Sequence, residues 1–91
     1  MGGGITPLNR MIAASLFAAD TVDVEYAAAV SAATFNPAAF ESTPSTLVAD
    51  SIQQLATRRI RLTFTDDVNL DTNLVYSGTT PGITTPQTIN Y

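Results

Sequence analysis

Three of the four positive charges in the chain, Arg58, Arg59 and Arg61, crowd into one short stretch. Guanidinium groups grip carboxylates and phosphates through paired hydrogen bonds, so this cluster is the first candidate for specific recognition. The stretch Arg58-Arg59-Ile60-Arg61-Leu62-Thr63-Phe64-Thr65 alternates between apolar and polar residues, the period of a strand with one buried and one wet face. Arg59 and Arg61 then share the polar face, Arg58 points elsewhere, and Ile60, Leu62 and Phe64 build a core. A second candidate is the run Asp67, Asn69, Asp71, Asn73. Oxygens at alternate positions open a calcium loop, but such a loop needs glycine after Asp71, where Thr72 stands, and an acid at its twelfth position, where Gly78 stands. The solvated face of an alternating strand has the same spacing and is the preferred reading. Asp66-Asp67 reads as an exposed turn, and Gly2-Gly3-Gly4 neither follows a strand nor has a lysine to complete a phosphate loop.

What is missing limits the chemistry further. The chain has no histidine and no cysteine. Their absence removes the usual general base, the usual nucleophile pair and most zinc ligands. The expectation is a non-enzyme without cofactor or metal, with a carboxylate-based hydrolase as the one catalytic alternative. The net charge of −4 and a pI near 4.2 carry the wrong sign for a nucleic-acid binder. Charged residues make up 13% of the chain, against about 25% in typical soluble domains. A low-charge surface rich in Ala and Thr is easily desolvated, which favours a subunit lying against other protein.

Ninety-one residues make one small domain, and the elements that hold these groups read as follows. Residues 1–5 are a glycine-rich arm. Thr6-Pro7 reads as a cap and first helical turn, and Leu8, Met11, Ile12, Leu16 and Ala19 recur at helical spacing. Arg10 followed by the apolar run to Ala19 also resembles a signal-peptide core, and Gly2 with Thr6 fits the loose myristoylation pattern; the helix is preferred to both. Thr21 to Tyr26 is a strand with Val22, Val24 and Tyr26 on one face and Asp23 and Glu25 on the other. Placed beside the arginine strand, Asp23 and Glu25 would lie opposite Arg59 and Arg61. The small residues 27–33 could extend that strand, Asn36-Pro37 marks a turn, and Phe35 and Phe40 are core aromatics. Ser42-Thr43-Pro44 starts a second helix over residues 44–57, carried by Leu47, Val48, Ile52 and Leu55. Residues 68–76 read as a strand forming a hairpin with residues 60–65. The tail, residues 78–91, repeats Thr-Thr-Pro and reads as an extended arm bearing Ile83, Ile89 and Tyr91. No apolar run is long enough to span a bilayer.

The predicted fold is therefore α+β: an antiparallel sheet with two short helices over residues 6–77, an N-terminal arm over 1–5 and a C-terminal arm over 78–91. A small Cys-free, Lys-free, Ala/Thr-rich domain with an arm at each end, residues 1–5 and 78–91, resembles the small structural proteins of bacteriophage particles: head-decoration proteins, connector pieces and tail components. The resemblance implies a non-enzymatic, repeated virion subunit, made in the host cytoplasm, that clamps copies of itself and other structural proteins through its arms. The expected interface residues are Ile83, Ile89 and Tyr91 with Arg59 and Arg61. The alternatives are a nucleic-acid-associated accessory protein using Arg58, Arg59 and Arg61, and a secreted surface-fibre subunit.

Overall fold

Alternation of apolar and polar residues decides the centre of the structure. The computed structural model describes residues 8–91. Seven strands follow in chain order: β1 Met11–Ala18, β2 Thr21–Tyr26, β3 Phe40–Thr43, β4 Leu47–Ala56, β5 Arg59–Phe64, β6 Asn73–Tyr76 and β7 Gln87–Asn90. Val22, Val24 and Tyr26 of β2 and Ile60, Leu62 and Phe64 of β5 are all buried, while the residues between them reach outward. The strands form one antiparallel sheet in the order β1-β2-β5-β4-β3-β6-β7. The long strand β4 joins its halves. Leu47 and Val48 pair with β3, and from Ala49 onward β4 pairs with β5.

The sheet curls almost into a barrel, because its two ends meet. The Gln87 side chain does the joining: its Nε2 donates to the Met11 carbonyl at 2.8 Å and its Oε1 accepts from the Met11 N–H at 3.1 Å. A side-chain amide thus stands in for a strand partner. Below it, Asn9 donates to the Gly82 carbonyl and accepts from the Thr84 N–H, forming a parallel bridge with Ile83. The interior holds an aromatic cluster. The Phe35 ring lies 5.7 Å from Tyr26, 5.5 Å from Phe40 and 5.8 Å from Tyr76, and the last two contacts are edge-to-face. Phe35 is carried into it by two single-turn 3-10 helices, Ala32–Thr34 and Pro37–Ala39, the second capped by the Asn36 side chain on the Ala38 N–H.

This overturns the α+β prediction: among the described residues there is no α-helix. The segment expected to be the first helix is β1, and residues 44–57 are a turn followed by β4. β-bulges explain both misreadings. The β1 register shifts between Met11 and Ala13 and again between Leu16 and Ala18; that of β4 shifts between Ala49 and Ser51 and between Gln54 and Ala56. Each bulge adds one residue to the alternation, so inward positions run Met11, Ala14, Leu16 and Ala49, Ile52, Gln54. A spacing of two becomes three, which mimics a helix. The Thr43–Pro44 bond is cis and starts a tight turn into β4, closed by the Thr46 N–H on the Ser42 carbonyl at 2.8 Å.

Two smaller expectations also change. Residues 65–72 form a loop, and β6 pairs with β3 and β7, so there is no hairpin with β5. The tail is no extended arm: it folds back as β7 on β6, pairing Ile89 with Leu74 and Gln87 with Tyr76. The N-terminal arm, the Thr6-Pro7 cap and the Gly2 pattern lie outside the described residues.

Candidate interaction surface

The outer face of the sheet places the charged residues. Because β2 and β5 are antiparallel neighbours, their polar positions fall opposite one another: Asp23 faces Arg61 and Glu25 faces Arg59. Arg61 makes two bonds to Asp23, from Nε to Oδ1 at 2.7 Å and from Nη2 to Oδ2 at 3.0 Å. The hydrogen bond to Asp23 pushes the Arg61 pKa up further, outweighing partial desolvation. The Phe17 ring of β1 covers the guanidinium, with Cζ 3.5 Å from the ring centroid. Arg59 and Arg58 both reach Glu25, at 3.4 and 3.6 Å, and both stay largely exposed. Arg58 reaches the same carboxylate from the β4–β5 turn. Each of the three arginines is thus engaged by a carboxylate of its own chain.

Two hollows flank this ladder. One of about 130 Å³ is lined by Ala13, Ser15, Asp23, Glu25 and Arg59. The other, an open depression of about 350 Å³, lies between Glu25, Arg58, Arg59 and the turn at Ala56 and Thr57. The exposed ends of Arg58 and Arg59 form its rim, so its shape follows their rotamers.

A second polar cluster lies at the other side of the barrel. Ser42, fully buried on β3, contacts the Asp71 carboxylate at 2.6 Å and the Tyr91 hydroxyl. Ser45 contacts the same carboxylate through its hydroxyl and its N–H, and the Tyr91 hydroxyl donates to the Val68 carbonyl at 3.0 Å. Desolvation raises the Asp71 pKa, but the bonds from Ser42 and Ser45 outweigh it and hold the carboxyl below its ordinary value. Burial pushes the Tyr91 hydroxyl up. The cluster ties the chain's last residue and the 65–72 loop to β3. Asp67, Asn69, Asp71 and Asn73 do not converge: Asp71 turns to the serines and Asn73 accepts from Asn90. Among the described residues no group of three or more His, Cys, Asp or Glu side chains is placed to hold a metal ion.

The expected interface residues of the tail sit against their own barrel. Ile83 is buried in the core, Ile89 packs on it half-buried, and Tyr91 is anchored by Ser42 and Val68. What sequence reasoning missed is the surface of β1. That strand runs Met-Ile-Ala-Ala-Ser-Leu-Phe-Ala without a charge. Ile12 is 44%, Leu16 40% and Phe17 63% exposed. The 65–72 loop, tied to the β1–β2 turn by the Val68 N–H on the Ala19 carbonyl, adds Leu70, 89% exposed, at the same end. The signal was the uncharged run itself, which read as the apolar face of a helix. Comparison with protein-family models, curated proteins and solved structures finds no match to this chain.

Proposed function

We propose that the chain is a non-enzymatic structural subunit that works by repeated protein–protein contact in a large assembly, a virus particle being the kind its style of sequence suggests. The observation that carries this reading is the exposure of three large apolar side chains, Ile12, Leu16 and Phe17, on an uncharged strand. Large apolar side chains grouped on a surface strand are characteristic of a contact surface. The low overall charge supports it, because little must be desolvated when such a surface is covered. The clamping role assigned to the tail passes to the β1 surface, since the tail's apolar residues contact their own barrel. The nucleic-acid alternative draws less support: Arg58, Arg59 and Arg61 are engaged by Glu25 and Asp23, on a chain of net charge −4.

Sedimentation velocity of the purified chain, alone and with duplex DNA at low salt, tests this reading. It predicts concentration-dependent species heavier than the 9.6 kDa chain and no co-sedimentation with DNA. A monomer at every concentration that binds DNA in a salt-dependent way, lost in Arg58→Ala/Arg59→Ala, overturns it.

A further inference from the structure

The two ends of the β2–β5 pair carry opposite charge. At one end Arg10, Arg58 and Arg59 gather round the close of β2, where the Tyr26 N–H donates to the Arg58 carbonyl and the Ala27 N–H to the Arg10 carbonyl. All three arginines are exposed, and the one carboxylate among them, Glu25, is shared by Arg58 and Arg59. At the other end the β1–β2 turn carries Asp20, whose carbonyl accepts from the Phe64 N–H. Asp66 and Asp67 follow Phe64 closely, and Asp50 is next to Ala49, the register partner of Phe64. Among the described residues none of these four aspartates makes an ion pair. The one remaining cation of the chain, Arg61, is bound to Asp23 between the two ends. Both strands are six residues long, so the charged ends lie roughly 17 Å apart at about 3.3 Å per residue.

Shape follows the same division. At the acidic end Leu70 is 89% exposed, in a tight turn closed by the Asp71 N–H on the Val68 carbonyl at 3.0 Å. That turn is fixed on both sides. Val68 is buried and its N–H donates to the Ala19 carbonyl at 2.7 Å, while the Asp71 carboxylate is held by Ser42 and Ser45. A leucine presented on so firm a base loses little freedom when it is covered. At the basic end lies the open depression of about 350 Å³ between Glu25, Ala56, Thr57, Arg58 and Arg59, large enough to take a leucine side chain.

From this we infer that copies of the chain associate head to tail: the Leu70 turn of one copy enters the depression beside Arg58 and Arg59 of the next, and Asp66 and Asp67 meet those arginines. The inference rests on the structural-subunit reading and names its partner as a second copy. Two copies meeting by like ends would set arginine against arginine or aspartate against aspartate, so charge selects the head-to-tail order. Glu25 alone does not neutralise two guanidinium groups, which leaves Arg58 and Arg59 able to accept a further carboxylate. The contact joins two different surfaces, so successive copies close into a ring if their rotation allows it and grow as a filament if it does not.

The chain has no cysteine, so introduced thiols report geometry directly. In the full chain, Leu70→Cys mixed with Thr57→Cys should give disulfide-linked heterodimers under mild oxidation, where either variant alone gives few dimers. Arg58→Ala/Arg59→Ala and Asp66→Asn/Asp67→Asn should each weaken self-association by about tenfold or more in sedimentation, and added salt should weaken that of the wild type. An equimolar mixture of these two charge variants should form a dimer that grows no further, because each keeps one working end. Circular dichroism confirms that each variant is folded. If the wild type associates but both charge variants associate equally, or the Leu70 and Thr57 thiols link no better mixed than alone, these ends are not the contact and the structural-subunit reading stands. If the wild type is a monomer throughout, both fall.

Discussion

Arg61 on β5 and Asp23 on β2 face each other across the strand pair and share two hydrogen bonds, with the Phe17 ring of β1 stacked on the guanidinium. One side chain thus ties three neighbouring strands on the outer face. Fixed fork geometry and an aromatic ring over the guanidinium are what separate such a pair from ordinary surface ion pairs. Its neighbour Arg59 has only a single contact to Glu25, at 3.4 Å, and is more exposed.

The first prediction is an ordering of substitutions. Arg61→Ala should lower the urea midpoint clearly more than Arg59→Ala, and Arg61→Lys should recover only part of the loss, because ammonium keeps the charge but not the fork. Equal midpoints for Arg61→Lys and wild type would show that charge alone matters.

Closing the barrel depends on Gln87. Gln87→Ala removes both of its bonds to Met11 and should destabilise the chain by about 1–2 kcal/mol. Hydrogen exchange should speed up at the Met11 amide before the amides of β2 and β5. Unchanged exchange at Met11 would mean that the seam is held by the Asn9 bridge alone.

Tyr26 presents the opposite case. Its hydroxyl is buried and has no hydrogen-bond partner among the described residues. An unpaired buried polar atom costs about 1–3 kcal/mol, so Tyr26→Phe should leave stability unchanged or raise it by about 1 kcal/mol. Denaturant unfolding of the variant checks this, and a loss above that size would reveal a partner for the hydroxyl.

Stability should fall at both ends of the pH scale. Asp71 is held below its ordinary value of 3.8, so its stabilising effect is complete above that pH and is lost as pH falls through the lower folded value. Tyr26 is pushed well above its ordinary value of 10.0, first by desolvation and then by Tyr76. The unfolded chain therefore releases that proton first, and stability falls as pH rises beyond 10. Thermal melts from pH 2 to 11 should show the acid loss reduced in Asp71→Asn and the alkaline loss reduced in Tyr26→Phe.

How much of this was legible depends on whether each strand keeps its period. β2 and β5 alternate without interruption, so their buried faces and the facing of Asp23 with Arg61 and Glu25 with Arg59 could be read directly. β1 and β4 carry bulges that shift the alternation by one, and their apolar residues imitated helices. The tail's Ile83, Ile89 and Tyr91 were visible as apolar residues in a Thr/Pro segment. Their destination was not, because it depends on partners in β3 and β6 that are distant in the sequence. The β1 surface stayed hidden for the same reason as the strand itself: once read as a helix, Leu16 faced a core and Phe17 belonged to no face.

The most direct test of the structural-subunit claim is the mass of the full chain by light scattering, from micromolar to millimolar concentration. The claim predicts a weight-average mass that climbs above 9.6 kDa as concentration rises. A mass of 9.6 kDa across the whole range would contradict it.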